Sequence, residues 1–139
     1  MITEDYVSFE IAKLLKEKGF GGDCFSMYVI SKPHSGIGNP NEAKIAPHGR
    51  DSHYYEGYEY QCEAPTLQMV MKWLREKHNL FIFISTWLRH KDGTVQYYYE
   101  IRNLNDKDFE TIAESTIIEF DSPEKTCEAA IKYCLENLI

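Results

Sequence analysis

The sequence predicts an α+β fold in which a mainly antiparallel sheet of about four to five strands packs against two to three helices. Apolar residues recur with helical spacing in three segments, and they alternate or cluster as in strands between those segments. Helices and strands do not alternate regularly, as they would in a parallel, doubly wound sheet. At 139 residues the chain has the size of one domain, so we expect a single domain over residues 1–139.

The first predicted helix covers about residues 4–18. Thr3 is the expected N-cap, because acidic residues follow it in the first turn, where the helix dipole favours them. Gly19 is expected at the left-handed C′ position, with Phe20 packing on Leu15.

Strand-forming residues predict the sheet. In about residues 54–62, tyrosines and Cys62 recur at even positions, which predicts one aromatic face. Residues 80–88 (LFIFISTWL) are apolar on both faces at their start, as in a central strand covered on both sides. A turn at 89–93 joins them to the next strand. The other predicted strands are 24–30, 94–102 and 116–120.

Residues typical of helix ends predict two further helices. One has Pro65 at its start and stops at Asn79, which tolerates a left-handed conformation. The last begins with Ser122 as N-cap and Pro123 at the first helical position.

The cysteines indicate core packing and a reducing compartment. No C-x-x-C pair is present, and free cysteine is among the most buried residue types. We expect the following as buried thiols: Cys24, Cys62, Cys127 and Cys134.

Prolines and glycines predict a long irregular loop at about residues 32–53. A loop of this length in a compact domain is usually functional or mobile.

Charge and hydropathy exclude several classes of protein. The net charge is −7, and residues 103–139 carry nine acids and three bases, a distribution that disfavours nucleic-acid binding. The longest strongly apolar run, 80–84, is too short to span a bilayer, and the N-terminus begins with acids rather than the bases of a signal peptide. We therefore expect a cytoplasmic protein that needs no membrane and no cofactor.

Three blocks carry a resemblance: VSFEIAKLLKEKGF (7–20), EAPTLQMVMKWLREKHNLFI (63–82) and SPEKTCEAAIKYCLENLI (122–139). Together they resemble a group of short, uncharacterised proteins encoded by phages, prophages and mobile elements of anaerobic gut bacteria. The resemblance implies a genomic context, and it assigns no activity or site residue.

Histidines in the predicted loop suggest one catalytic alternative, a small metal-dependent hydrolase. Zinc needs three or four ligands of this type. The candidate metal ligands are His34, His48, Asp51 and His53.

The hairpin suggests a second alternative, single-stranded nucleic-acid binding, in which bases would stack on Trp87 and the tyrosines 97–99. Because neighbouring residues alternate faces, Tyr98 does not share a face with the tyrosines on either side of it. Cross-strand packing in a core or a dimer interface explains these residues more simply.

The leading prediction is a non-enzymatic binding module that acts through protein contacts and forms a homodimer. No carboxylate pair, phosphate loop or catalytic triad signature is readable, whereas one segment combines aromatic and acidic residues. The candidate protein-binding residues are Tyr54, Tyr55, Glu56, Tyr58, Glu59 and Tyr60.

Overall fold

The computed structural model confirms the α+β class, with two antiparallel sheets of three strands instead of one sheet of four to five. The structure describes residues 2–31, 42–48, 57–89, 91–105, 107, 110–115 and 120–139. Within these residues the sheets have the strand orders β2-β1-β3 and β4-β5-β6. The elements are α1 (Phe9–Glu17), β1 (Ser26–Ser31), β2 (Lys44–Pro47), β3 (Tyr58–Glu63), α2 (Leu67–His78), β4 (Leu80–Leu88), β5 (Val95–Asn103), β6 (Thr111–Glu114) and α3 (Pro123–Asn137).

Residue contacts divide the chain into two compact units. One unit, residues 6–66, holds α1 and the sheet β2-β1-β3. The other, residues 1–5 with 67–139, holds α2, α3 and the sheet β4-β5-β6. That residues 1–139 form a single domain stays a prediction.

Helix α1 begins later than the sequence suggested, because Ser8 and not Thr3 is its N-cap. The Ser8 side chain accepts a hydrogen bond from the backbone N–H of Ile11 at 3.3 Å. Just before α1 the backbone makes a tertiary contact, because the Val7 N–H donates a hydrogen bond to the carbonyl of Pro65 at 3.0 Å. A tertiary contact therefore displaces the helix start that local signals favoured.

The end of α1 confirms the predicted cap. Gly19 has a φ of +85°, and the Phe20 N–H donates to the Leu15 carbonyl at 2.9 Å. These are the left-handed C′ residue and the C″ to C3 bond of a Schellman motif.

Strand β1 is the centre of the first sheet and is buried along both faces. Tyr28 lies on the α1 side, where its hydroxyl donates to the Val7 carbonyl at 2.6 Å and its ring lies 5.2 Å from that of Phe9. This buried hydrogen bond fixes the segment before α1 against the sheet.

Strand β2 corrects the prediction of an irregular loop over 32–53. Residues 44–47 pair antiparallel with β1, and Ala46 is buried against Met27. Pro47 is the last residue of an edge strand, where its missing N–H costs no ladder bond. The remainder of the predicted loop lies mostly outside the described residues.

In the second unit, α2 and α3 pack on one face of the sheet β4-β5-β6. Fully buried Ile101 lies at its centre, paired with Ile82 of β4 and Ala113 of β6. The buried side chains of α3 are Thr126, Cys127, Ala130, Ile131, Cys134 and Leu135.

Strand β4 has the predicted bounds but not the predicted position. It lies at the edge of its sheet, paired with β5 alone, and was expected to be a central strand. Helices α2 and α3 contact β4, and the exposed Phe83 and Trp87 lie on its second face.

Strand β6 covers Thr111–Glu114, a segment in which the sequence predicted no strand, whereas the predicted strand 116–120 stays a prediction. At the end of that prediction, Phe120 forms an isolated bridge with Tyr97, while residues 116–119 lie outside the described part of the chain.

The predicted stop of α2 and start of α3 are confirmed, whereas α2 itself begins at Leu67, two residues after the predicted Pro65. Asn79 is left-handed with a φ of +55°, directly after α2. The Ser122 side chain accepts from the Lys125 N–H at 3.2 Å, with Pro123 in the first turn.

All four cysteines are buried thiols, as predicted. Burial raises the pKa of both Cys127 and Cys134 to about 12. Among the described residues, no helix is both long and apolar enough to cross a lipid bilayer.

Candidate functional site

Three of the six predicted protein-binding residues can be placed, and they lie on the edge strand β3. Tyr60 is 48% exposed and Glu59 is also exposed, whereas Tyr58 is half-buried. The other three lie outside the described residues: Tyr54, Tyr55 and Glu56.

A β-bulge divides the aromatic face that the even spacing predicted. Tyr28 pairs with Cys62 but the next residue, Val29, pairs with Tyr60, so Gln61 is an extra residue in β3. Tyr60 and Cys62 consequently lie on opposite faces, and Cys62 is fully buried. Glu59 pairs with Ile30 and therefore lies on the face opposite to Tyr60.

Basic side chains surround the tyrosines that remain on one face. Lys44 Nζ donates to the Tyr58 hydroxyl at 2.8 Å. Lys16 Nζ lies 5.5 Å from the Tyr60 ring centroid and donates to the Gln61 carbonyl. Around β3 the described surface is therefore of mixed charge instead of acidic.

Of the metal candidates only His48 can be placed, and its Nε2 is paired with the carboxylate of Glu63. The described residues contain no group of three or more histidine, cysteine or acidic side chains that could hold a metal ion. The other candidate ligands lie outside the described residues: His34, Asp51 and His53.

Cys24, whose thiol interacts electrostatically with Glu63, is protonated at neutral pH. Burial, with the charges of Glu63 and Asp23, raises the pKa of its thiol to about 11. Nucleophilic cysteines require a lowered pKa, so this thiol has the opposite electrostatics.

The second unit presents a larger aromatic surface on the sheet face that turns away from α2 and α3. Its residues were identified from the strand register and from alternation along each strand. None of them is buried. We call this surface the open sheet face; it consists of Phe81, Phe83, Ser85, Trp87, Gln96, Tyr98, Glu100, Arg102, Thr111 and Glu114, and we include with it the exposed Ile112, which is the extra residue at the register shift of β6.

Large apolar side chains are exposed on both outer strands of this sheet. Trp87 is 53% exposed and Phe83 is 38% exposed on β4, and Ile112 is 42% exposed on β6. Sequence reasoning identified Trp87 but missed Phe83 and Ile112. The apolar residues on both faces of β4 could have indicated that Phe83 is exposed, but this pattern is also typical of a central strand covered on both sides.

Arg102 is held in place at the middle of the open sheet face. Its Nη2 lies 3.1 Å from Glu100 Oε2, and its guanidinium lies 4.9 Å from the centroid of the Phe83 ring. The Phe83 and Phe81 rings are in contact, with centroids 4.6 Å apart. This arrangement orders a charged group over an aromatic surface before any partner binds.

The hairpin tyrosines are divided between the two faces, as alternation predicted. Tyr99 is buried on the helix side, with its ring centroid 6.4 Å from Phe120 and 6.5 Å from Tyr133. Burial is the main cause that raises the Tyr99 pKa. Of these tyrosines only Tyr98 lies on the open sheet face.

In comparisons with known proteins, no family model, curated protein or solved structure matches this chain.

Proposed function

We propose that this chain is a non-enzymatic binding module that contacts another protein through the open sheet face, in the cytoplasm and in the service of a phage or mobile element. One observation carries the proposal: three large apolar side chains of this surface, Trp87, Phe83 and Ile112, are exposed. The genomic setting rests on the resemblance of residues 7–20, 63–82 and 122–139.

The side chains on this face are of the types that dominate binding energy at protein interfaces. Tryptophan, tyrosine and arginine are enriched among residues whose truncation costs most affinity, and Trp87, Tyr98 and Arg102 are all present. Exposed apolar patches on soluble proteins commonly mark interaction sites. The Glu100 pair and the Phe83 ring fix Arg102, which reduces the entropy lost on binding.

The charges of the open sheet face favour a protein over a nucleic acid. Glu100 and Glu114 are paired with each other across β5 and β6, and Arg102 is the single base on this face. Phosphates would therefore meet more negative than positive charge, and single-strand binding needs a basic groove beside the aromatic residues.

Strand β3 is a second candidate contact surface, because Tyr60 is nearly half exposed on the edge of its sheet. Because β3 and the open sheet face both expose aromatic side chains, substitutions on each surface are needed to tell which one binds the partner.

The test is capture of a partner with matched surface variants of the full chain. Immobilised wild type and variants are incubated with a lysate of the source cells, and retained proteins are quantified by mass spectrometry. We expect Trp87→Ser and Ile112→Ser each to lower retention of the same protein at least about tenfold, as expected for hot-spot positions. Tyr60→Ser and Phe25→Ser are the controls, since Phe25 is 89% exposed in the other unit.

The outcomes distinguish the open sheet face from β3 as the contact surface, and a protein from a nucleic acid as the ligand. Loss of the protein with Tyr60→Ser and not with Trp87→Ser would move the contact to β3. Equal retention by all four variants would refute the open sheet face as the contact surface. Salt-sensitive retention of a labelled single-stranded oligonucleotide, lost with Trp87→Ser, would replace a protein with a nucleic acid as the ligand.

A further inference from the structure

The outer edge of β4 carries a row of backbone groups that pair with no other described residue. The Arg89 N–H donates to the Thr94 carbonyl at 2.9 Å, and the Leu104 N–H donates to the Asn79 carbonyl at 2.8 Å. These two bonds fix the phase of the ladder, so the odd-numbered residues of β4 bond to β5. The residues whose N–H and C=O groups point outward are Leu80, Ile82, Ile84, Thr86 and Leu88.

This edge lacks the features by which proteins normally protect an edge strand. The nine residues of β4 include no charge and no proline, and their register with β5 has no bulge. In the described part of the chain no strand or loop bonds to the outward groups. A long, regular, uncharged edge is a template for strand addition.

We propose that a second copy of this chain pairs antiparallel with β4 about a two-fold axis near Ile84, joining the two β4-β5-β6 sheets into one sheet of six strands. In this register Ile84 faces its own counterpart, and Leu80 faces the partner's Leu88. Because even residues pair with even residues, the helix-covered faces of both copies lie on the same side of the joined sheet. About ten backbone hydrogen bonds form, a number typical of stable interfaces.

Charge and exposure favour a second copy as the occupant. The chain carries a net charge of −7, yet this pairing places no two charges of β4 opposite each other. Leu88 and Trp87 are each about half exposed in the single chain. In the joined sheet they lie across from the partner's Leu80 and the partner's Phe81, so the pairing gives the two most exposed apolar residues of β4 an apolar neighbour while the face of Trp87 stays open.

Strand addition uses the backbone edge of β4 and leaves the face of β5 and β6 exposed, although the partner's Phe81 then lies beside Trp87 of the open sheet face. A substitution at Thr86 separates the two. Its N–H points outward, so Thr86→Pro removes a bond to the second copy without removing a bond to β5. Thr86→Ala keeps the N–H and is the matched control.

The experiment is sedimentation equilibrium of the full chain at about 100 µM, at which a micromolar dimer is almost fully assembled. The monomer mass is 16.3 kDa. We expect wild type and Thr86→Ala to sediment at twice the monomer mass, and Thr86→Pro at the monomer mass. Ile112→Ser on β6 should remain dimeric, even if it fails to bind a protein partner.

Far-ultraviolet circular dichroism checks that Thr86→Pro is folded. If it is not, Thr86→Lys takes its place, since it puts a charge into the pairing and keeps the backbone intact. A monomeric wild type would overturn the proposal. A dimer that persists unchanged in a folded Thr86→Pro, or in both Thr86→Ala and Thr86→Lys where the proline variant is unfolded, would overturn it as well.

Discussion

Replacing Ile101 with alanine tests whether the sheet β4-β5-β6 has one buried and one open face. Ile101 is fully buried in the middle strand, between Ile82 and Ala113 and beneath the helices. The substitution removes three carbon atoms, and at about 0.8 kcal/mol for each the lost transfer free energy is roughly 2.4 kcal/mol. A residual cavity of roughly 50 Å³ adds about 1.2 kcal/mol. We therefore expect the free energy of unfolding to fall by about 3.5 kcal/mol.

The matched control is the same change at an exposed position of the same sheet. Ile112 is 42% exposed on β6, so Ile112→Ala should cost less than about 1 kcal/mol. Urea unfolding followed by tryptophan fluorescence measures both values. Equal losses in the two variants would refute the burial of Ile101 beneath the helices, because a buried isoleucine and an exposed one cannot lose the same burial.

Two further predictions concern the buried polar groups. Tyr28→Phe removes the hydroxyl that donates to the Val7 carbonyl and should lower the free energy of unfolding by about 1 to 2 kcal/mol; an unchanged urea midpoint would contradict the buried bond. The folded pKa of Cys127 and Cys134 near 12 exceeds the free value of 9.0, so the unfolded chain loses these protons first as the pH rises. Their stabilisation is present below pH 9.0 and falls towards pH 12 by at most about 1.4 kcal/mol per pH unit for each thiol. Cys134→Ala should show a smaller decline above pH 9.0 in urea unfolding, and an identical decline would contradict the shift.

Local signals in the sequence predicted the helix ends that depend on a few adjacent residues. The left-handed Gly19 after α1 and the Ser122 cap of α3 involve bonds over three to five residues, so their sequence context contains the necessary information. The start of α1 was wrong because a bond between Val7 and Pro65 competes with the local cap, and no local pattern encodes that contact.

Sheet organisation was harder to predict because it depends on which strands meet. The bounds of β4 follow from its apolar run, but its place at an edge follows from pairing with β5 alone. Likewise, the bulge at Gln61 shifts Cys62 to the opposite face, and alternation counted along the sequence cannot detect an inserted residue.

The residues of the candidate site were likewise predictable where local sequence identifies them and not where they depend on strand register. Trp87 was recognisable as an aromatic residue of a hairpin, whereas Ile112 belongs to a short strand with few β-forming residues. Arg102 was identified as a base, but its pair with Glu100 and its position over Phe83 depend on the register.

The most direct test of the open sheet face as a contact surface is hydroxyl-radical footprinting of the free chain and of its complex with the captured protein. In the free chain we expect the exposed Trp87 and Phe25 to be oxidised readily and the buried Tyr99 to be protected. In the complex, oxidation of Trp87 and Ile112 should fall while that of Phe25 stays unchanged. Unchanged oxidation of both Trp87 and Ile112 on complex formation would contradict a contact through this face.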